Sequence, residues 1–165
     1  MVVRAACLSP AQIDALEAVL YQMLTPLGQE ELHEQVSYCL RELAENAVRA
    51  VRKRRVFRRE GLDIAKPEDY RKGLDLLREE GAEDAASSGN EDDGCWVEVA
   101  IAQYPGQIGL RVANTGQMVA LERARVAKRL SAAQLYETFD EVVEQVEDDS
   151  ESAGLGLVML GMILR

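Results

Sequence analysis

The sequence predicts an α/β fold around a single core, with a short opening strand, a long amphipathic helix, a β-hairpin and a closing apolar helix. Three observations carry this prediction. Leu32, Val36, Leu40, Leu43, Ala47, Ala50 and Val51 recur on one face at the helical period. Residues 96–112 instead alternate apolar with other side chains about a central Pro-Gly, the pattern of a hairpin. The chain's 165 residues suit one sizeable core and leave little room for a second.

Taken in order, the opening MVVRAACL is a candidate strand. Ser9 and Pro10 then read as an N-cap and first helical residue, and Ile13, Leu16, Leu20 and Leu24 follow at helical spacing, so a first helix is expected over Pro10–Leu24. Pro26 and Gly28 end it, which makes residues 1–29 an N-terminal strand and helix extension. The second and longer helix begins at about Glu30. A short helix around Pro67 to Glu80 comes next, and then GAEDAASSGNEDDG, residues 81–94, whose small and acidic side chains cannot bury enough surface to fold alone and read as a mobile loop.

Trp96, Val97, Val99 and Ile101, the turn Pro105-Gly106, and Ile108, Leu110 and Val112 make the hairpin. Residues 118–128 and 131–146 read as two helices with Ser131 as the N-cap between them, closed by the charged break EDDSES. AGLGLVMLGMILR is a glycine turn opening a buried apolar helix.

Composition excludes several functions. No run reaches the roughly 18 uncharged apolar residues that span a bilayer, and MVVRAACL is too short for a secretory signal, so a cytoplasmic protein with no membrane partner is expected. Cys7, Cys39 and Cys95 are widely spaced and accompanied by a single histidine, which suggests buried free thiols and neither a disulfide framework nor zinc. A formal charge of −10 argues against nucleic-acid binding, which draws on phosphate neutralisation. The charge is uneven: RKRRVFRR at 52–59 carries six positive charges at the C-terminal end of the second helix, and residues 137–151 are mostly acidic. The basic run complements the helix dipole, either as a solvated helix end or as a docking patch for an acidic partner.

Three segments carry candidate chemistry. On the second helix, Glu42, Asn46 and Arg49 fall at i, i+4 and i+7 and share a face, an arrangement able to orient water, complete a magnesium shell and meet phosphate oxygens. Val112-Ala113-Asn114-Thr115-Gly116 runs a strand into a turn where a side-chain amide could meet a base edge and glycine permits close approach. Ser152-Ala153-Gly154-Leu155-Gly156-Leu157 puts two glycines at the mouth of a helix, whose free N–H groups favour phosphate.

In this order and context the three segments resemble the GHKL, or histidine-kinase-like ATPase, family, over roughly residues 30–165. The helix resembles the family's N-box and the other two segments its glycine boxes. The resemblance implies a two-layer α/β sandwich of the Bergerat type, with a mixed sheet, helices on one face, and ATP with magnesium held on that sandwich. It makes Asn46 the magnesium ligand, Arg49 with Ala50 a phosphate contact, and Glu42 the general base used by the ATPase branch of the family. It sets Asn114 against the adenine amino group and Gly116 where the base approaches, with Ser152, Gly154, Leu155 and Gly156 along the phosphates. Residues 117–151 take the place of the ATP lid, which its acidic end should hold open against triphosphate.

The chain departs from the family in three places. Asn114 stands where an aspartate is usual and accepts without charge assistance, and Ser152 replaces a leading glycine. Arg165 falls in a helix that the family follows with further strands, so the sheet edge is expected to be filled by MVVRAACL, by a second copy in a homodimer, or by the rest of a longer protein. His33 reads as an ordinary helix residue, so any phosphoacceptor belongs to a partner protein acting in trans. The expected activity is transfer of the γ-phosphate to that partner in a signalling pathway. The alternatives are a non-catalytic nucleotide-binding interaction module and, resting on Glu42, ATP hydrolysis that drives a dimer clamp.

Overall fold

The computed structural model describes residues 1–79, 94–136 and 155–163. The loop expected at 81–94 therefore lies outside the described residues except for Gly94, as do Ser152, Gly154 and the acidic stretch 137–151. Two compact units divide the chain, Met1–Gln117 and Met118–Arg165, where the length alone had led us to expect one core.

In the first unit, β1 (Val2–Ala5) leads to α1 (Pro10–Leu24), α2 (His33–Arg59), α3 (Pro67–Glu79), β2 (Val97–Tyr104) and β3 (Gln107–Asn114). Ser9 caps α1 reciprocally: its hydroxyl accepts from the Gln12 amide at 3.3 Å while Gln12 Oε1 accepts from the Ser9 amide at 2.9 Å. Single 3₁₀ turns, Thr25–Leu27 and Glu30–Leu32, join α1 to α2, with Gly28 left-handed between them at φ +63°. The three strands pair in the order β1-β2-β3. A mixed sheet is not what the described strands form, since both pairings are antiparallel. The reason for the second is local: only two residues, Pro105 and Gly106, separate β2 from β3, and so short a connection can join only antiparallel strands.

Residues of α1 and α2 pack against one side of the sheet. Leu8, Ile13, Leu16 and Leu20 meet Leu40, Ala44, Ala47 and Val51 of α2, Val97, Val99 and Ile101 of the sheet, and Cys95 just before it. Alternation places Val97, Val99 and Ile101 on the helix side, and each fully buried aliphatic side chain contributes roughly 1.5–3 kcal/mol. The other face carries Glu98, bonded by the guanidinium groups of Arg4 and Arg111 from the flanking strands. These bonds, Arg4's first, hold the Glu98 carboxyl below the usual carboxylate range.

The second helix is longer than its apolar trace suggested, because Val56 and Phe57 are buried within the basic run. The run itself is not a freely solvated end. Arg52 Nη2 donates to Leu77 O of α3 at 3.3 Å, Arg55 Nη2 to Ala6 O at 3.2 Å, and Lys53 Nζ lies 5.3 Å from the centre of the Tyr70 ring. The basic side chains thus tie α2 to its neighbours through carbonyls and a ring face. At the other end, Arg41 reaches Asp14 and Glu17 of α1, each at 2.8 Å.

In the second unit, α4 (Ala120–Ala132) and α5 (Leu155–Ile163) pack together, with Ala133 just past α4 and Val158 of α5 buried between them. The N-cap expected at Ser131 is not found, because α4 runs through that residue. Nothing in the alanine-, arginine- and leucine-rich stretch before it interrupts the helix, and the Ser131 carbonyl accepts from Gln134 N at 3.1 Å in the closing turn. No helix among the described residues is long and apolar enough to cross a membrane.

Candidate functional site

The helical repeat brings Glu42, Asn46 and Arg49 to one side of α2, away from the buried stripe of Leu40, Ala44, Ala47 and Val51. Arg49 Nη2 donates to Asn46 Oδ1 at 2.9 Å, and Arg49 Nη1 lies 3.9 Å from Glu45 Oε2. The Asn46 carboxamide is therefore oriented: its oxygen already faces a cationic group. Its nitrogen is the unusual atom, because Asn46 Nδ2 is buried and has no hydrogen-bond partner among the described residues. Such a donor costs about 1–3 kcal/mol if left unmade.

The Glu42 carboxyl lies one turn before it. Burial pushes its pKa up and nearby Glu45 pushes in the same direction, while Arg49 pulls it down. Desolvation also raises the Tyr38 phenol, with Glu42 as the next cause. Tyr38 was not singled out from sequence, although its position four residues before Glu42 puts it on the same face. A half-buried carboxyl with a raised pKa beside a fixed amide and an arginine is suited to holding a proton next to an anionic ligand.

The end of β3 forms the second part. Asn114 Nδ2 donates to Thr115 O at 3.0 Å. Thr115 clamps the start of β2, its amide donating to Trp96 O at 3.0 Å and its hydroxyl accepting from Trp96 N at 2.8 Å. Gly116 then turns at φ +94°, a conformation that side chains with a Cβ rarely adopt. The space above it is occupied by Arg54: a Cβ on Gly116 would lie 2.2 Å from Arg54 Nε and 2.3 Å from Arg54 Cδ. Arg54 Nη2 donates to Gln117 O at 2.8 Å and Nη1 to Ala50 O at 3.1 Å. Sequence reasoning placed Arg54 only within the basic run and missed this contact.

The first unit thus presents Glu42, Asn46, Arg49 and Ala50 on one helix, with Asn114 at the end of β3 and Gly116 in the turn after it, which the same helix reaches through Arg54. Ser152 and Gly154 lie outside the described residues, and Leu155 and Gly156 open α5 in the second unit. Among the described residues, no group of three or more His, Cys, Asp or Glu side chains is placed to hold a metal ion. Magnesium takes few ligands from protein and the rest of its shell from phosphate and water; the amide oxygen on this face, Asn46 Oδ1, accepts from Arg49 in the structure.

No protein-family model matches the chain, and no solved structure matches it. The chain is similar to an uncharacterized protein of Treponema pallidum (strain Nichols), at 32% identity over 145 residues, covering 87% of this chain and 28% of the relative. It therefore spans little more than a quarter of that relative's length.

Proposed function

We propose that the chain binds a magnesium-nucleoside triphosphate along α2, with ATP the ligand and the phosphates toward Asn46 and Arg49. The buried Nδ2 of Asn46, without a partner among the described residues, carries this reading, because a desolvated amide donor needs an acceptor and phosphate oxygens are strong ones. Asn46 Oδ1 would hold the cation, and Arg49 would turn from that oxygen to a phosphate. Magnesium would supply neutralisation of the triphosphate charge. Glu42 would take a proton from an attacking hydroxyl or water, consistent with the raised pKa of its carboxyl. At about 1.5 Å per helical residue, Asn46 and Arg54 stand about 12 Å apart along α2, room for a nucleotide laid parallel to the helix.

On this reading the protein is a histidine-kinase-like module of a cytoplasmic signalling protein that passes the γ-phosphate to a protein acceptor in trans. One observation favours the non-catalytic reading: Arg54 fills the approach to Gly116, and a nucleotide that must displace it would bind weakly. Calorimetric titration with ATP, with and without magnesium, tests the proposal. It predicts magnesium-dependent binding that Asn46→Ala abolishes. Equal affinity in the parent and the variant would refute the assignment of Asn46. Glu42→Gln separates the two readings, since it should stop phosphoryl transfer or hydrolysis while leaving binding intact.

A further inference from the structure

We infer that Arg54 is an internal occupant of the nucleotide site, lying where the base would enter, and that a nucleotide binds only when this side chain withdraws from Gly116. The inference rests on the nucleotide reading above and adds a specificity-determining residue to it.

Three observations support it. Gly116 has a backbone conformation that excludes most other residues, and the room its missing side chain leaves is filled by Arg54 Nε and Cδ, not left open. The guanidinium donates to Gln117 O beyond the turn and to Ala50 O on its own helix, so the side chain is seated against the turn that carries Gly116. The side chain also belongs to the helix that presents Asn46, two turns away, so one helix carries both the phosphate end of the site and the group that closes its base end.

A ligand part that does not enter above Gly116 should be indifferent to Arg54. Arg54→Ala should therefore strengthen binding of Mg-ATP and of adenosine alike, by about tenfold if the withdrawn position is about a tenth of the population. Mg-tripolyphosphate, which has no base, should bind the parent and the variant within about twofold of each other, since it engages only the phosphate end.

The test is titration of the parent chain and of Arg54→Ala with these three ligands, together with stopped-flow association of Mg-ATP. In the parent, the observed association rate should level off with nucleotide concentration at the rate of withdrawal; in Arg54→Ala it should rise linearly. Arg54→Lys, which keeps the charge and aliphatic stem but not the two-pronged grip, should fall between them and guards against loss of fold in the alanine variant. Weaker or unchanged ATP and adenosine binding in Arg54→Ala, with the parent binding normally, overturns the role of Arg54 alone. Absence of ATP binding in the parent and in both variants overturns the nucleotide reading itself. Binding that appears only in the variants supports the inference most strongly.

Discussion

Replacing Asn46 by alanine should stabilise the fold while removing its ligand, a combination expected of a functional residue and not of a structural one. The magnitude follows from the geometry. Removing a buried amide nitrogen that has no partner among the described residues recovers about 1–3 kcal/mol, and alanine is favoured over asparagine within a helix by about 0.5 kcal/mol. Against this stands the Arg49–Asn46 bond at 2.9 Å, whose donor is largely exposed and is worth about 0.5–1 kcal/mol. A net stabilisation of about 0.5–3 kcal/mol results, or a rise in Tm of about 1–12 °C for a chain of this size. Urea unfolding followed through Trp96, the single tryptophan and a neighbour of the Thr115 clamp, reads the first unit directly. A loss of 1 kcal/mol or more in the variant would show that the Asn46 amide serves the fold, and the argument from an unpartnered donor would fail.

Other perturbations have signs that the structure fixes. Glu42 titrates above its ordinary value of 4.5 because it is buried. The folded protein therefore binds its proton more tightly than the unfolded chain does, and stability falls as pH rises through the raised pKa. Glu42→Gln should match the parent below about pH 4.5 and exceed it above, and parallel stability profiles would contradict the burial assigned to this carboxyl. Gly73→Ala drives a Cβ to within 2.2 Å of Phe57 Cε2. The clash should outweigh the helix-propensity gain of about 1 kcal/mol and leave a net loss of about 1–2 kcal/mol, whereas a more stable variant would mean that α3 does not dock on Phe57. Half-buried Cys7 should react first with a thiol reagent, and Cys39, whose thiol burial pushes up, only on unfolding. Mass-mapped labelling of Cys39 in the native protein would refute this.

Much of the fold was legible because its determinants are local. The Ser9-Pro10 start of α1 and the hairpin about Pro105-Gly106 fall where short-range capping, periodicity and turn chemistry put them. The opening strand pairs with β2 as MVVRAACL allowed, in a register that alternation alone could not set. Ser131 misled because a possible cap is only a permission, and the residues before it continue the helix. The common face of Glu42, Asn46 and Arg49 could be read from spacing, since a helix fixes it. Neither the orphaned Nδ2 of Asn46 nor the seating of Arg54 on Gly116 could be, because burial and long-range side-chain contacts depend on how α2 lies against the sheet. The same holds for the basic run, whose arginines turn toward the carbonyls of Leu77 and Ala6.

The side-chain amide of Asn46 offers the most direct test. In a nitrogen-correlated NMR titration with Mg-ATP, the Asn46 Nδ2 resonances should shift strongly as the unpartnered donor gains a phosphate oxygen, with the Gly116 backbone amide shifting in step. Asn46 Nδ2 resonances that do not move at millimolar Mg-ATP would contradict the account.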